Sequence, residues 1–359
     1  MRLRIFILLA LTLTVQSVNS QERLIRNIPD IPGYETLICD FHLHTVFSDG
    51  LVWPTVRVNE AWLEGIDAIA ITDHLEYLPY ADDIKTDHNR AWKLAKSYAK
   101  DKGVIVIAGT EITKNMPPGH LNAIFIKDAT PILNDDYKKA IEEAANQGAF
   151  IMWNHPGWKA QQPDTMKWWD DHTYLYNQGW LHGIEIVNQQ SFYPEAVSWA
   201  LEKNLTMLGN SDQHAPFRHI EATDNHRAST LVFVTTRTEG GIREALFNQR
   251  TAVYFKDSVI GARNILLPLA KNSLNAYPTE HSNHFMVQNK TEFTFTLELY
   301  DKIYNDFEKE IELRSGYEAV IALNPETKMH DVNVHVKNFI TESDSSLVIP
   351  FAEIYRNTE

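Results

Sequence analysis

The chain of 359 residues is predicted to be an α/β protein, with a parallel sheet closed or nearly closed into a barrel and a small antiparallel β domain after it. Between residues 36 and 209, short apolar runs alternate with amphipathic stretches, several of which end at a glycine. After about Ile260, apolar and polar residues alternate one by one, as in antiparallel strands with one face in water.

The elements follow in order along the chain. The apolar runs predicted as strands of the first region are 36–41, 66–72, 104–108, 121–126, 149–153, 183–187, 206–209 and 230–234. The predicted helices are 53–64, 89–102, 136–147 and 194–203, the first three stopping at Gly65, Gly103 and Gly148. Strict alternation over 291–299 and part of 332–336 predicts the β domain. We therefore divide the chain into a signal peptide at 1–20, a catalytic barrel at 21–262 and a β domain at 263–359.

The first twenty residues are typical of a secretory signal peptide. Arg2 and Arg4 precede an apolar run over 5–13, and a polar stretch ending in Val18-Asn19-Ser20 follows it. The apolar run is too short for a hydrocarbon core of about 30 Å, so we expect no stable membrane insertion. The expected location is periplasmic or secreted.

Composition and charge limit the classes of binding partner that the protein is expected to have. The formal net charge of -14 disfavours nucleic acid and anionic membrane surfaces, since the long-range field repels both. Hydrophobic residues make up 44% and charged residues 22%, an ordinary globular balance. Cys39 is the only cysteine, which excludes an internal disulfide and a cysteine-based zinc finger. The oligomeric state is left open.

Histidines and acidic residues directly follow successive predicted strands. They are His42, His44, Asp49, Asp73, His74, Glu111, His155, Asp212 and His214. Because the carboxyl ends of parallel barrel strands meet at one rim, these residues are expected to lie together. A single His-x-His pair is weak evidence, but imidazoles and carboxylates at five strand ends are ligands for zinc, manganese or iron. Burying so many ionisable groups without a cation is costly, so we predict a polynuclear metal site.

These motifs also resemble one family, in its order and over roughly residues 37–262. They are His42-x-His44, Ser48-Asp49-Gly50, Thr72-Asp73-His74, Gly109-x-Glu111, Asn154-His155-Pro156 and Ser211-Asp212-x-His214. The sequence is similar to the polymerase-and-histidinol-phosphatase (PHP) family, which implies a distorted (β/α)7 barrel and three divalent metal ions, Zn, Mn or Fe. The resemblance implies a first ion on His42, His44, Glu111 and Asp212, a second on Glu111, His120 and His155, and a third on Asp49, His74 and His214.

The resemblance also implies a mechanism. Two cations bridged by Glu111 would acidify a shared water and supply hydroxide, and the third would hold phosphoryl oxygens. Asp73 and a further metal-bound water are the candidates for protonating the leaving alkoxide, and Asp73 is alternatively a residue that orients a ligand histidine. Arg227 is a candidate contact to the phosphate, with a surface salt bridge as the alternative. Trp153, Trp158, Trp168 and Trp169 surround the His155 loop, where they either wall a pocket for an apolar leaving group or pack in the core.

The predicted function is hydrolysis of small organic phosphodiesters or phosphomonoesters by metal-bound hydroxide. A metal-dependent hydrolase of an amide or ester bond is the first alternative, since the same hydroxide can attack a carbonyl carbon. A non-catalytic glycan-binding module is the second alternative, although the complete ligand set argues against a decayed site. The exact substrate, the metal and the role of the β domain are not fixed by the sequence.

Overall fold

A computed structural model describes residues 22–217, 226–307 and 310–356, so the predicted signal peptide lies outside the described residues. The helices are α1 (Pro54–Leu63), α2 (Arg90–Ala99), α3 (Tyr137–Asn146), α4 (Asp170–Asn177), α5 (Pro194–Lys203), α6 (Glu239–Phe247), α7 (Arg263–Ser273) and α8 (Phe351–Ile354). The strands are β1 (Glu35–Asp40), β2 (Ala68–Ile71), β3 (Ile105–Ile112), β4 (Leu121–Ile124), β5 (Phe150–Trp153), β6 (Gly183–Asn188), β7 (Ser191–Phe192), β8 (Thr206–Asn210), β9 (Ser229–Val234), β10 (Thr251–Phe255), β11 (Ser258–Ile260), β12 (Leu274–Pro278), β13 (His284–Asn289), β14 (Phe295–Asp301), β15 (Asp306–Phe307), β16 (Ile311–Leu313), β17 (Glu318–Ala322), β18 (Val332–Glu342) and β19 (Ser345–Pro350).

Local sequence accounts for the helices that flank the sheet. Asp136 caps α3 by accepting a hydrogen bond from the backbone N–H of Lys138, and α3 buries alanine and isoleucine on one face. Pro54 and Pro194 open α1 and α5, where a missing N–H costs nothing. Asn204 ends α5 in the left-handed conformation that asparagine tolerates.

One large sheet carries the predicted strands, and its centre is mostly parallel. β1, β2 and β3 pair in parallel, as do β5, β6 and β8. The expectation of parallel strands throughout is wrong at β4, which runs antiparallel to both β3 and β5, and at β9, which runs antiparallel to β1 and β10. No helix crosses between β3 and β4, so the chain reverses there as a hairpin does. The mixed α/β fold is therefore as predicted, and its closure into a barrel stays a prediction.

The last hundred residues are mainly antiparallel strands after α7. β12, β13 and β17 form a separate sheet of three strands, while β14, β18 and β19 extend the large sheet through a parallel pairing of β11 with β18. The alternating burial of β14 confirms the predicted alternation. Side chains from both parts, among them Leu231 and Phe295, share one hydrophobic cluster. The domain boundary predicted at 262 and 263 falls just before α7 and stays a prediction.

Across the described part of the chain, no helix combines the length and apolarity needed to cross a bilayer.

Candidate metal centre

A buried cluster lies where β1, β3 and β8 end. Nε2 of His42 lies 3.5 Å from Oε2 of Glu111 and 3.3 Å from Oδ1 of Asp212. Nε2 of His44 lies 3.4 Å and 3.1 Å from the same two oxygens. Bonds of about 2.1 Å in tetrahedral geometry place ligand atoms about 3.4 Å apart. All four atoms are buried without a hydrogen-bond partner among the described residues, so this donor set fits a divalent cation.

The second oxygen of Glu111 faces two more histidines. Oε1 lies 2.9 Å from Nδ1 of His120 and 3.6 Å from Nε2 of His155, and it accepts a hydrogen bond from Nδ2 of Asn154 at 2.9 Å. His120 precedes β4, and it reaches this rim because β4 runs opposite to its neighbours. Glu111 is thus placed between two sets of ligand atoms, as a bridging carboxylate would be.

The possible ligand groups differ in several members from the predicted sets. Ligand atoms of His42, Glu111 and His155 lie within 4.8 Å of one another, and those of His74, Glu111 and His120 form another such group. His120 and His155 lie side by side, with ring centroids 5.0 Å apart. Their joint membership in one metal shell stays a prediction.

A third cluster is more open to solvent. Oδ1 of Asp49 lies 3.5 Å from Nε2 of His74 and 3.2 Å from Nε2 of His214. The side chains of Asp49 and His214 are 22% and 33% exposed, whereas His42 and His44 are fully buried. Ligand atoms of His44, Asp49, His74 and His214 lie within 4.8 Å of one another. This group is therefore a candidate cation site with access to solvent.

The electrostatics keep the carboxylates ionised. Burial would raise the pKa of Asp212, but His42 and His44 outweigh it and hold that pKa well below its usual range. Burial would lower the pKa of His74, but Glu111 and Asp49 raise it to about 10. Burial lowers the pKa of His44 to about 3, with the neighbouring histidines contributing. A divalent cation bound among these ionised carboxylates would displace the proton that they otherwise hold on His74.

Glu185 in β6 supports the buried cluster from behind. Its carboxylate accepts a hydrogen bond from Nδ1 of His42 at 2.8 Å and from the backbone N–H of His155 at 2.6 Å. The amides of Asn188 and Asn210 also donate to it, at 2.8 and 2.9 Å. Such a carboxylate fixes the tautomer that leaves Nε2 of His42 free for a metal. The sequence prediction missed Glu185, whose one signal is a lone charge inside an apolar strand.

Asp73 lies behind the turn that joins two ligands. It accepts hydrogen bonds from the backbone N–H and the hydroxyl of Thr45, at 2.6 and 2.7 Å, and from the hydroxyl of Ser48 at 2.7 Å. Burial raises the pKa of its carboxyl group. These contacts fix the chain between His44 and Asp49, which favours the orienting role over direct contact with a leaving group.

Arg57 of α1 joins two ligand-bearing segments. This fully buried guanidinium donates to the backbone carbonyl of His44 at 2.9 Å. It also donates to the carbonyls of Gln213, His214 and Ala215, at 2.8, 2.7 and 3.0 Å. A buried hydrogen-bond network whose donors all have acceptors is rigid. Arg57 therefore fixes the segment that carries His214 against the loop that carries His44. The sequence prediction did not single out Arg57.

Arg227 is held in a buried ion-pair network. It donates to both oxygens of Glu64, at 2.9 and 2.5 Å, and to Asp40 at 3.0 Å. Asp40 also accepts from the backbone N–H and the hydroxyl of Ser211, just before Asp212. The Arg227 side chain is only 2% exposed, so the alternative of a surface salt bridge is wrong in its location: the ion pair is buried. A contact with phosphate stays a prediction.

Two ligand residues adopt strained backbone conformations. His155 has φ of 29° and Asp212 has φ of 48°, in the left-handed region that residues other than glycine seldom occupy. Such conformations persist where the surroundings impose them, which is frequent at functional sites.

The tryptophans near the His155 loop divide into two kinds. Trp153 is fully buried and stacks on His172, with ring centroids 3.7 Å apart. Trp168 and Trp169 are partly buried, whereas Trp158 is 45% exposed and lines the cavity above the ligands. Packing in the core therefore accounts for Trp153, and Trp158 is the one of the four that reaches the cavity.

Known proteins are similar to this chain over most of its length. The PHP domain family model matches residues 40–355. An uncharacterized protein of Methanocaldococcus jannaschii is 30% identical over 189 residues, which cover 49% of this chain and 81% of that protein. A crystal structure from Bacteroides vulgatus, of a two-domain protein containing a predicted PHP-like metal-dependent phosphoesterase, is 42% identical. Its TM-score is 0.87, and the match covers 92% of this chain and 98% of that one. The chain described here, with its clustered histidine and carboxylate ligands, belongs to the PHP domain family.

Proposed function

We propose that this protein is a phosphoesterase that hydrolyses small organic phosphodiesters or phosphomonoesters at a site for three divalent ions, Zn, Mn or Fe. The observation that carries the proposal is the burial of four neighbouring ligand atoms, on His42, His44, Glu111 and Asp212, without a hydrogen bond, while the second oxygen of Glu111 faces His120 and His155. The open group at Asp49, His74 and His214 supports the third ion. Export, predicted from residues 1–20, is part of the proposal.

The residues of the chain have distinct tasks in this proposal. Bound divalent ions would supply Lewis acidity towards phosphoryl oxygens and an acidified water as nucleophile. Glu111 presents one oxygen to each side and so sets the spacing of the two inner sites. Glu185 holds the proton on Nδ1 of His42, and Asp73 fixes the turn before Asp49. The whole arrangement excludes water from one side of the ligands and leaves the side of Asp49 and His214 accessible.

The finer fold is part of the same proposal. We infer that the central strands close into the distorted (β/α)7 barrel of the family. An isolated parallel bridge between Leu43 and Gln213 supports closure, because it connects the chain after β1 to the chain after β8. The hydroxyl of Thr230 in β9 also accepts a hydrogen bond from the backbone N–H of Gly209 in β8, at 3.0 Å.

The test is an activity screen with matched variants. Purified protein is supplied with manganese or zinc and offered aryl phosphodiesters, phosphomonoesters and carboxylate esters, before and after chelation. We expect hydrolysis of phosphate esters that stops on chelation and returns with metal. The double variant His42→Ala, His44→Ala should lose activity by at least about 10³-fold. His330→Ala, at a histidine whose side chain is 71% exposed and far along the chain, is the control.

Two outcomes would contradict the proposal. Full activity in the His42→Ala, His44→Ala variant would exclude the metal mechanism. Activity on carboxylate esters alone would contradict the phosphoesterase function and favour the alternative hydrolase.

A further inference from the structure

The cavity above the ligands has two unlike walls. It measures about 220 Å³, and one wall consists of the ligand side chains. The other wall consists of residues without a metal-ligand role, from the turn after His155 and from the chain around β7. Those residues are Trp158, Asn188, Gln189, Ser191 and Tyr193. A phosphoryl group bound at the ligand wall would therefore direct its ester substituent to this second wall.

Trp158 is placed to contact that substituent. Its backbone N–H donates to the carbonyl of His155 at 2.9 Å, which closes a tight turn and brings the indole beside the ligands. The indole meets the rings of His155 and His120 at centroid distances of 5.2 and 5.6 Å, at steep angles of 69° and 61°. It is stacked on neither ring, and with 45% of the residue exposed it has surface left for a ligand.

Tyr193 and Gln189 close the wall beside it. The ring of Tyr193 packs on Gly157, where an added Cβ would lie 2.7 Å from Cδ1 and Cε1. Only glycine therefore permits this approach of Tyr193 to the Trp158 turn. The amide of Gln189 donates to Oδ2 of Asp212 at 3.2 Å, which ties the wall to a ligand. Aromatic rings thus lie next to amide and hydroxyl groups, a combination suited to a ring that carries polar substituents.

The charges of the cavity also restrict which leaving groups it can bind. Its acidic and imidazole lining consists of the candidate ligands, with Asp49, Glu111 and Asp212 as the acids, and no Lys or Arg among the described residues lines it. Bound cations would offset those carboxylates and the phosphoryl group. A second anionic group on the leaving alcohol would meet no cationic side chain of this wall, and its desolvation would go uncompensated.

We propose that Trp158, Tyr193 and the chain from Gln189 to Ser191 form a leaving-group subsite that takes an uncharged, ring-bearing alcohol with its ring packed on Trp158. This subsite rests on the phosphoesterase function proposed above. It makes Trp158 a specificity-determining residue for that reaction.

The experiment compares leaving groups of similar acidity. The substrates are benzyl phosphate, ethyl phosphate and 4-carboxybenzyl phosphate, or their methyl diesters if only diesters react. We expect wild-type kcat/KM to be about tenfold higher for the benzyl than for the ethyl ester, because the contact between the two aromatic rings and the apolar area it buries stabilise the transition state. The carboxybenzyl ester should lose most of that advantage. Trp158→Ala should remove the preference and Trp158→Phe should keep most of it, with metal content unchanged in both.

Trp53→Ala is the matched control, since Trp53 is also 45% exposed but does not line the cavity. An equal loss on the benzyl and ethyl esters in Trp158→Ala would overturn the subsite, because Trp158 would then serve the ligand histidines instead. A wild-type enzyme that hydrolyses both esters equally would overturn the subsite and leave the phosphoesterase function standing. A wild-type protein, loaded with metal, that hydrolyses no phosphate ester would overturn both.

Discussion

The buried ligand cluster and the open one share Glu111 and His44 as neighbours but differ in their access to water. In the buried cluster, His42 and His44 are fully buried, and Glu111 and Asp212 are 1% and 9% exposed. In the open cluster, Asp49 and His214 are 22% and 33% exposed. We therefore expect the buried group to hold metal ions more tightly, and the open group to exchange ligands with water or substrate.

The two clusters are also supported in different ways. Glu185 orients a ligand imidazole of the buried cluster directly, through Nδ1 of His42. The open cluster is instead fixed through its backbone, because Arg57 binds the carbonyl of His214 and Asp73 binds the turn before Asp49. A substitution of Glu185 should therefore affect the buried cluster more, and a substitution of Arg57 or Asp73 should affect the open cluster more.

Glu111→Gln should have the largest effect, because it removes the charge that the two inner sites share. We expect kcat to fall by at least about 10³-fold, since the loss of metal electrostatics is worth several kcal/mol. Metal content should fall to one ion per chain or less. Circular dichroism should show a folded protein, and exposed Glu142→Gln is the control. Activity within tenfold of wild type would exclude a bridging role for Glu111.

His214→Ala should have a smaller effect, limited to the open cluster. We expect a loss of about 10²-fold in kcat, the order found when one electrostatic donor to a transition state is removed. The measurement is activity together with metal content, which should fall by one ion and no more. Loss of every ion in this variant would contradict the division of the ligand residues into two clusters.

Glu185→Gln should weaken the buried cluster by an intermediate amount. Removing a carboxylate that orients a metal-binding histidine lowers metal affinity by about 10–100-fold. Titration with a competing chelator measures this, with exposed Glu195→Gln as the control. An unchanged affinity in Glu185→Gln would mean that the His42 imidazole needs no such partner.

Arg57→Met should have the smallest effect on chemistry and a clear effect on folding. It leaves the carboxylate of Glu60 buried without its cation, which costs about 3 kcal/mol or more in the free energy of unfolding. At saturating metal we expect only a few-fold loss in kcat, about 1 kcal/mol in the barrier. Exposed Arg90→Met is the control. An Arg57→Met variant as stable as the wild type would show that Arg57 does not fix the segment that carries His214.

The sequence predicted that the candidate ligand residues lie together, because each is part of a short motif at a strand end. To predict that His42, His44 and Glu111 lie together, it is enough to know that the ends of neighbouring strands meet. The supporting residues could not be predicted in this way. Glu185 is a single carboxylate in an apolar run, and Arg57 lies on a helix, where an arginine side chain is ordinarily solvated. The roles of both residues depend on contacts with segments far away in the sequence.

The strand direction was also beyond local sequence. An apolar run of four to six residues has the same pattern in a parallel and an antiparallel strand, so the reversal at β4 was not visible. That reversal decides the position of His120, which comes before its strand rather than after it. The prediction placed His120 in the site through family resemblance alone, and the hairpin supplies the physical reason.

The most direct test of the two-cluster account is the metal content of wild-type protein, measured by elemental analysis during stepwise chelation, with activity followed on the same samples. We predict three divalent ions per chain, of which a weak chelator removes one together with activity, while the other two persist until a strong chelator is added. Fully active protein with fewer than two ions per chain would contradict the account, as would the release of all ions at the first, weak step.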